Sequence, residues 1–123
     1  MSLKSFFEEW DIVAHTSDSY DDVRQYRLPS VDVHLEAVSD DMIELDWIAS
    51  DEQGKGAGSA ALELLCRIAD GHGVHIILCS ASGDGRKQRR LDNWYVRHGF
   101  MLADTPSDDP EDRMMLMVRF HAR

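Results

Sequence analysis

From Ser5 to Ala14 the apolar residues Phe6, Phe7, Trp10, Ile12 and Val13 fall mostly three and four positions apart, which predicts a short amphipathic helix. His15 to Asp22 is polar and reads as a turn, capping a second short helix that runs to about Arg27 and is stopped by Pro29. The period then changes. In Ser30 to Val38 the residues Val31, Val33 and Leu35 alternate with Asp32, His34 and Glu36, and Met42 to Ser50 alternates again after a polar turn. These two runs predict an antiparallel hairpin. Ala61, Leu62, Leu65, Ile68 and Ala69 return to helical spacing, with Glu63 and Arg67 paired on the wet face and Gly71 and Gly73 at the end. Val74 to Ala81 is nearly continuous in apolar character, as in a strand covered on both faces. A further helix is expected from Arg86 to His98, with Leu91, Trp94 and Tyr95 inward and Gly99 at its C-terminal cap. Phe100 to Ala103 is a short strand, Asp104 to Asp112 an acidic loop, and Arg113 to Phe120 a final strand.

Strand, helix and strand between residues 42 and 81 form a right-handed unit with adjacent parallel strands. A mixed α/β sheet in a single domain spanning residues 1–123 follows, because the chain is long enough for one core and too short for two. Hydrophobic residues at 43% and charged residues at 29% fit a globular protein. No apolar run reaches the roughly 20 residues of a membrane helix, and Glu8, Glu9 and Asp11 interrupt any signal-peptide core. The expected location is the cytoplasm, with Cys66 and Cys79 as reduced core residues.

Charge is distributed unevenly. Residues 1–52 hold 14 acidic and 3 basic side chains, residues 53–100 hold 4 and 7, and residues 101–123 hold 5 and 3. Nucleic acid is an unsuitable partner for so acidic a chain. An anion at the basic middle and a cation near the acidic start suit it better.

The basic middle opens on the run Gln53-Gly54-Lys55-Gly56-Ala57-Gly58, with three glycines directly before a helix. The first amides of a helix have no intrahelical partners, and glycine lets a phosphate come close to them. By itself the run fits either a phosphate loop or a plain tight turn. It is not a P-loop, since Ala49 stands where the first glycine belongs and Gly56 follows Lys55. A dinucleotide fingerprint fails as well, because Cys79, Ser80 and Ala81 supply no acid at the end of the next strand.

The run does match Q/R-x-x-G-x-G/A, and 37 residues past Gly58 comes Tyr95-Val96-Arg97-His98-Gly99-Phe100, a Y-x-x-x-G-F ending. With this element order, the two motifs resemble the GNAT superfamily of N-acetyltransferases over about residues 40 to 120. The resemblance implies an acyl-CoA N-acyltransferase fold: a mixed, mostly antiparallel sheet with a central splayed parallel strand pair and flanking helices, its N-terminal part shortened. It implies that Gly54, Lys55, Gly56, Ala57, Gly58 and Ser59 hold the pyrophosphate of acetyl-CoA, that Gln53 supports the loop, and that Ile48, Ala49 and Ser50 line the pantetheine. No metal is called for. Lys55, Arg86, Lys87, Arg89 and Arg90 either meet the adenosine phosphates or form a solvated helix start. Tyr95 matches the family's usual general acid, or is a core aromatic. Glu44 is the preferred base with Asp46 second, unless both simply face solvent.

Trp47 and Trp94 are expected in the core, and His72 and His75 at the surface. Gln88 stands where many relatives carry an asparagine, and Ser82 to Gly85 extends the preceding turn. The short N-terminal part leaves room for a site completed by a second copy. Two functions stay open: transfer of acetyl to a primary amine of a basic small molecule or peptide, and non-catalytic sensing of acyl-CoA.

Overall fold

The computed structural model describes residues 3–20, 23–28, 30–51, 56–80, 85–102 and 115–121. Helix α1 (Leu3–Val13) is followed by strands β1 (His15–Tyr20), β2 (Val23–Leu28), β3 (Val31–Ser39) and β4 (Met42–Ser50). Then come α2 (Ala57–Gly71), β5 (His75–Ser80), α3 (Gly85–Arg97), β6 (Met101–Leu102) and β7 (Met115–Arg119). The strands form one seven-stranded sheet in the order β1-β2-β3-β4-β5-β7-β6. All neighbours are antiparallel except β4 and β5, which run parallel across α2.

The expected helix after His15 is not present: that stretch is the β1–β2 hairpin, with His15 opposite Arg27 and Tyr20 opposite Val23. Tyr26 and Leu28 of β2 are buried, and Arg24 lays its guanidinium 4.0 Å above the Phe7 ring. The helix-side face of β2 thus carries a buried aromatic, a buried aliphatic residue and an exposed arginine, which hides its alternation. A hairpin thus stands in place of the second of the two expected early helices.

The two faces of the sheet differ. Val31, Val33, Leu35, Ile43, Leu45, Ile76, Leu78 and Met117 share one face and are all buried. α1 covers its outer part, with Phe6 stacked on Trp10 and Trp10 edge-on to Tyr26. α2 covers the centre through Leu62, Leu65, Cys66, Ile68 and Ala69. Burying each such side chain stabilises the fold by about 1.5 to 3 kcal/mol. Arg119 fastens α3 to the same side: it forms a bidentate pair with Asp70 of α2, at 2.6 and 2.8 Å, and donates to the His98 carbonyl at 2.9 Å. All three helices therefore lie on one face.

The opposite face carries Asp32, His34, Glu36, Glu44, Trp47, Ile77, Val118 and Phe120, none of them buried. The expectation that Val74 to Ala81 is covered on both sides is corrected accordingly, since Ile76 and Leu78 are buried while Ile77 is half-buried. Trp47 is likewise no core residue and is 55% exposed.

Candidate functional site

β4 and β5 are in register from Met42 opposite His75 to Leu45 opposite Leu78, and their pairing ends there although β4 continues to Ser50. At the same point the register of β4 against β3 slips. Leu45 faces Leu35 and Trp47 faces His34, so Asp46 is an extra residue. Such a bulge bends and twists its strand. Ile48, Ala49 and Ser50, all half-buried, stay paired with β3 beyond the bulge.

The chain next enters α2. Gly56 precedes the helix in the left-handed conformation, at φ 79 and ψ 0, where a side chain would be strained. No side chain caps the helix and its first turn holds no acid, so the positive end of the dipole is not neutralised from within. Gly58 sits close to its neighbours: a Cβ there would lie 3.8 Å from the Trp94 ring and 3.9 Å from Cβ of Ser50. Trp94 Nε1 donates to Ser59 Oγ at 2.7 Å, tying α3 to the first turn of α2. Nothing in the sequence announces this bond across 35 positions; the only hint is that a half-buried indole needs an acceptor. On the other side of the turn, Arg27 pairs with both Asp51 and Asp32, and Asp51 donates its amide to Ser30 at 2.8 Å. Arg27 holds the Asp51 carboxyl below its ordinary range.

On the open face, Glu36 and Glu44 lie directly opposite each other. Asp46 turns toward them, and the three carboxylates come within 4.8 Å of one another. Like charges paired this way repel. Partial burial raises the Asp46 carboxyl, and hydrogen bonding and repulsion from Glu44, then Glu36, carry it to about 7. His34 and Trp47 flank the group with ring centroids 6.5 Å apart.

A scan of the sequence against protein-family models matches none, and a comparison with curated proteins finds no match. Solved structures do match. A Bacteroides thetaiotaomicron protein assigned to the GNAT acetyltransferase family aligns with 86% of this chain and 66% of its own, at 21% identity and a TM-score of 0.64. The ribosomal-protein alanine N-acetyltransferase of Escherichia coli aligns over 100% of this chain and 92% of its own, at 17% identity and 0.62. An anti-CRISPR protein aligns over 78% and 96%, at 20% identity and 0.59.

This chain has the GNAT fold. The chain spans just under two thirds of the Bacteroides protein and nearly all of the other two. Within the GNAT fold, the expected pantetheine residues Ile48, Ala49 and Ser50 lie on β4 past its last pair with β5, and Gly56, Ala57, Gly58 and Ser59 follow at the start of α2. Gln53, Gly54, Lys55 and the loop Asp104 to Asp112 lie outside the described residues, as do the side chains of Cys79, Arg86, Lys87, Gln88 and Arg89. Arg90 is exposed and Cys66 buried.

Tyr95 is 6% exposed and packs on Trp94 and Phe100, at ring centroids of 5.0 and 5.4 Å. Burial, then the Asp92 charge, pushes its phenol up to about 12. It keeps its proton at neutral pH. Glu44 lies on the open face beside Asp46, before the bulge. His72 and His75 are half-buried rather than loose at the surface: His72 meets Glu9 at 3.0 Å, and His75 stacks on His121 at 4.7 Å.

Proposed function

We propose that the chain is an N-acetyltransferase, moving the acetyl group of acetyl-CoA directly to a primary amine of a basic small molecule or peptide. One observation carries this reading: β4 and β5 part beyond Leu45 and Leu78 just ahead of an uncapped, acid-free helix start. Amides from Gly54 to Ser59 would take the pyrophosphate, with Gln53 supporting them. Pantetheine would lie along Ile48, Ala49 and Ser50.

The amine nitrogen attacks the thioester carbonyl carbon, the C–S bond breaks, and an amide forms. Three proton movements accompany this. An alkylammonium with a pKa near 10 must lose a proton before attack, and the Glu44–Asp46 pair is the acceptor. A carboxyl held at about 7 exchanges protons readily at neutral pH. Tyr95 gives its proton to the departing thiolate and regains one from the nitrogen, which sheds its second proton as the amide forms. The backbone N–H of Ile48 polarises the carbonyl.

Calorimetry with CoA, followed by a thiol-release assay over a panel of amines, tests the proposal. Heat of binding and amine-dependent thiol release are expected; folded protein that gives no heat with CoA overturns it. The depth of Tyr95 in the core favours one other reading, a non-catalytic acyl-CoA-binding module. That module would bind CoA and release no thiol with any amine.

A further inference from the structure

Among the described residues, the open face of the sheet combines two properties. No described element covers it: α1, α2 and α3 all lie on the other side, and Trp47, Met101 and Phe120 are 55%, 54% and 58% exposed on this one. It is also negative at its centre. Glu36, Glu44 and Asp46 crowd together there, and among the described residues no lysine or arginine forms an ion pair with them. Arg27, the cation that reaches this face from β2, is committed to Asp32 and Asp51.

A small amine is ordinarily bound in a concave pocket that buries most of its surface. Among the described residues, cavities of about 370 and 240 Å³ lie on the helix side. One is lined by Leu3, Phe7, Arg24 and Ala37, the other by Leu28, Ala57 and Leu64. The carboxylates line neither. What they offer is an open surface about as long as a strand. Asp32 and Glu36 lie four residues apart on β3, about 13 Å along the strand. Trp47 beside His34 adds an exposed indole on which an ammonium group can rest.

We infer that this face receives an extended, lysine-bearing polypeptide segment, which lies across β3 and β4 with its cationic side chains on Glu36, Glu44 and Asp46 and against Trp47. The proposed transferase reading is assumed, and its acceptor is narrowed from any basic amine to a peptide. Charge complementarity selects the occupant. A second copy of this chain would bring a net charge of −10 to an already acidic surface, whereas a basic segment relieves the Glu36–Glu44 repulsion.

Two probes of equal charge make the test. One is a heptapeptide with blocked ends and lysine at its second, fourth and sixth positions; the other is spermidine, which carries the same three charges. Each is titrated into protein labelled with 15N, and the indole N–H signals are followed, Trp47→Phe assigning the one that matters. The peptide should shift the Trp47 signal to saturation and leave that of buried Trp10 in place, while spermidine needs at least tenfold higher concentration. Glu36→Gln should raise the half-saturating peptide concentration about threefold, the scale of one exposed ionic contact. The inference falls if the peptide leaves Trp47 unmoved, or if spermidine saturates it equally well. It also falls if the Trp47 signal depends on protein concentration alone and sedimentation shows a dimer. The titration contains no CoA, so a failure here stands apart from a failure to bind the coenzyme, which calorimetry on the same sample reads.

Discussion

Gly56 and Gly58 stand two residues apart at the start of α2, and alanine should move stability in opposite directions at the two. At Gly56 nothing lies within 4 Å of where a Cβ would sit, so no clash opposes the substitution. The cost is in the backbone. With φ at 79, alanine must adopt the left-handed conformation, at about 1 kcal/mol or somewhat more. Its less flexible unfolded chain returns a few tenths. Gly58 is helical, and a Cβ there meets the Trp94 ring at 3.8 Å and Ser50 at 3.9 Å, both ordinary contacts. Alanine gains up to about 1 kcal/mol over glycine in a helix interior, and about half of that at a second helical position. The two variants should therefore differ by about 1 to 1.5 kcal/mol. For a domain of this size each kcal/mol moves the melting temperature by about 4 °C, which separates them by about 4 to 6 °C. Thermal unfolding followed by far-UV circular dichroism measures this, and urea unfolding with unchanged slopes excludes a change in the unfolded state. If both variants shift the same way, or melt within 1 °C of each other, the assigned geometry of this turn is wrong.

Asp46→Asn should change the pH dependence of stability. With its folded pKa at about 7, above the ordinary 3.8, Asp46 keeps a proton in the folded state that the unfolded chain has released, so stability falls as pH rises from about 4 to 7. The variant should match the parent near pH 4 and exceed it in urea midpoint at pH 8; a parallel offset at both pH values would contradict this. Arg119→Met leaves the Asp70 carboxylate and the His98 carbonyl without their shared donor. A loss of about 2 to 4 kcal/mol in urea unfolding is expected, and a loss under 1 kcal/mol would show that α3 is held in some other way. Tyr95→Phe should lower turnover by about 10²- to 10⁴-fold while CoA affinity stays within twofold. Turnover at the parent rate would reduce Tyr95 to a core aromatic.

The elements whose buried faces are uniformly aliphatic could be read from the sequence, as with Val31, Val33 and Leu35 of β3 or Leu62, Leu65 and Ile68 of α2. The β1–β2 hairpin could not. His15 to Tyr20 contains a single aromatic among polar residues, and β2 buries Tyr26 and Leu28 beside an arginine that covers Phe7. A period of two is invisible when one of three inward positions is charged. β5 misleads for the opposite reason, since Ile77 is as apolar as Ile76 and Leu78 yet looks out on the open face. The glycine run was legible because its chemistry is local. The carboxylate cluster was only half so: Glu44 and Asp46 share a strand, but Glu36 joins them through β3–β4 pairing, and an alternating pattern puts Asp46 and Trp47 on opposite faces.

That last failure points to how the site is built. In a regular strand Asp46 would follow Glu44 onto the open face and Trp47 would follow Leu45 into the core. One inserted residue breaks this rule. After Asp46 the parity of β4 is reversed, so Trp47 joins the open face opposite His34, and Ile48 takes the helix side opposite Val33. The same insertion bends β4 where its pairing with β5 stops, and a strand that bends there cannot stay in register with a straight neighbour. The gap toward β5 and the exposed indole thus have one cause. It follows that the cleft and the exposure of Trp47 are not independent features that could be lost separately. Any change that removed the bulge would close the space proposed for pantetheine and return Trp47 to the helix side together.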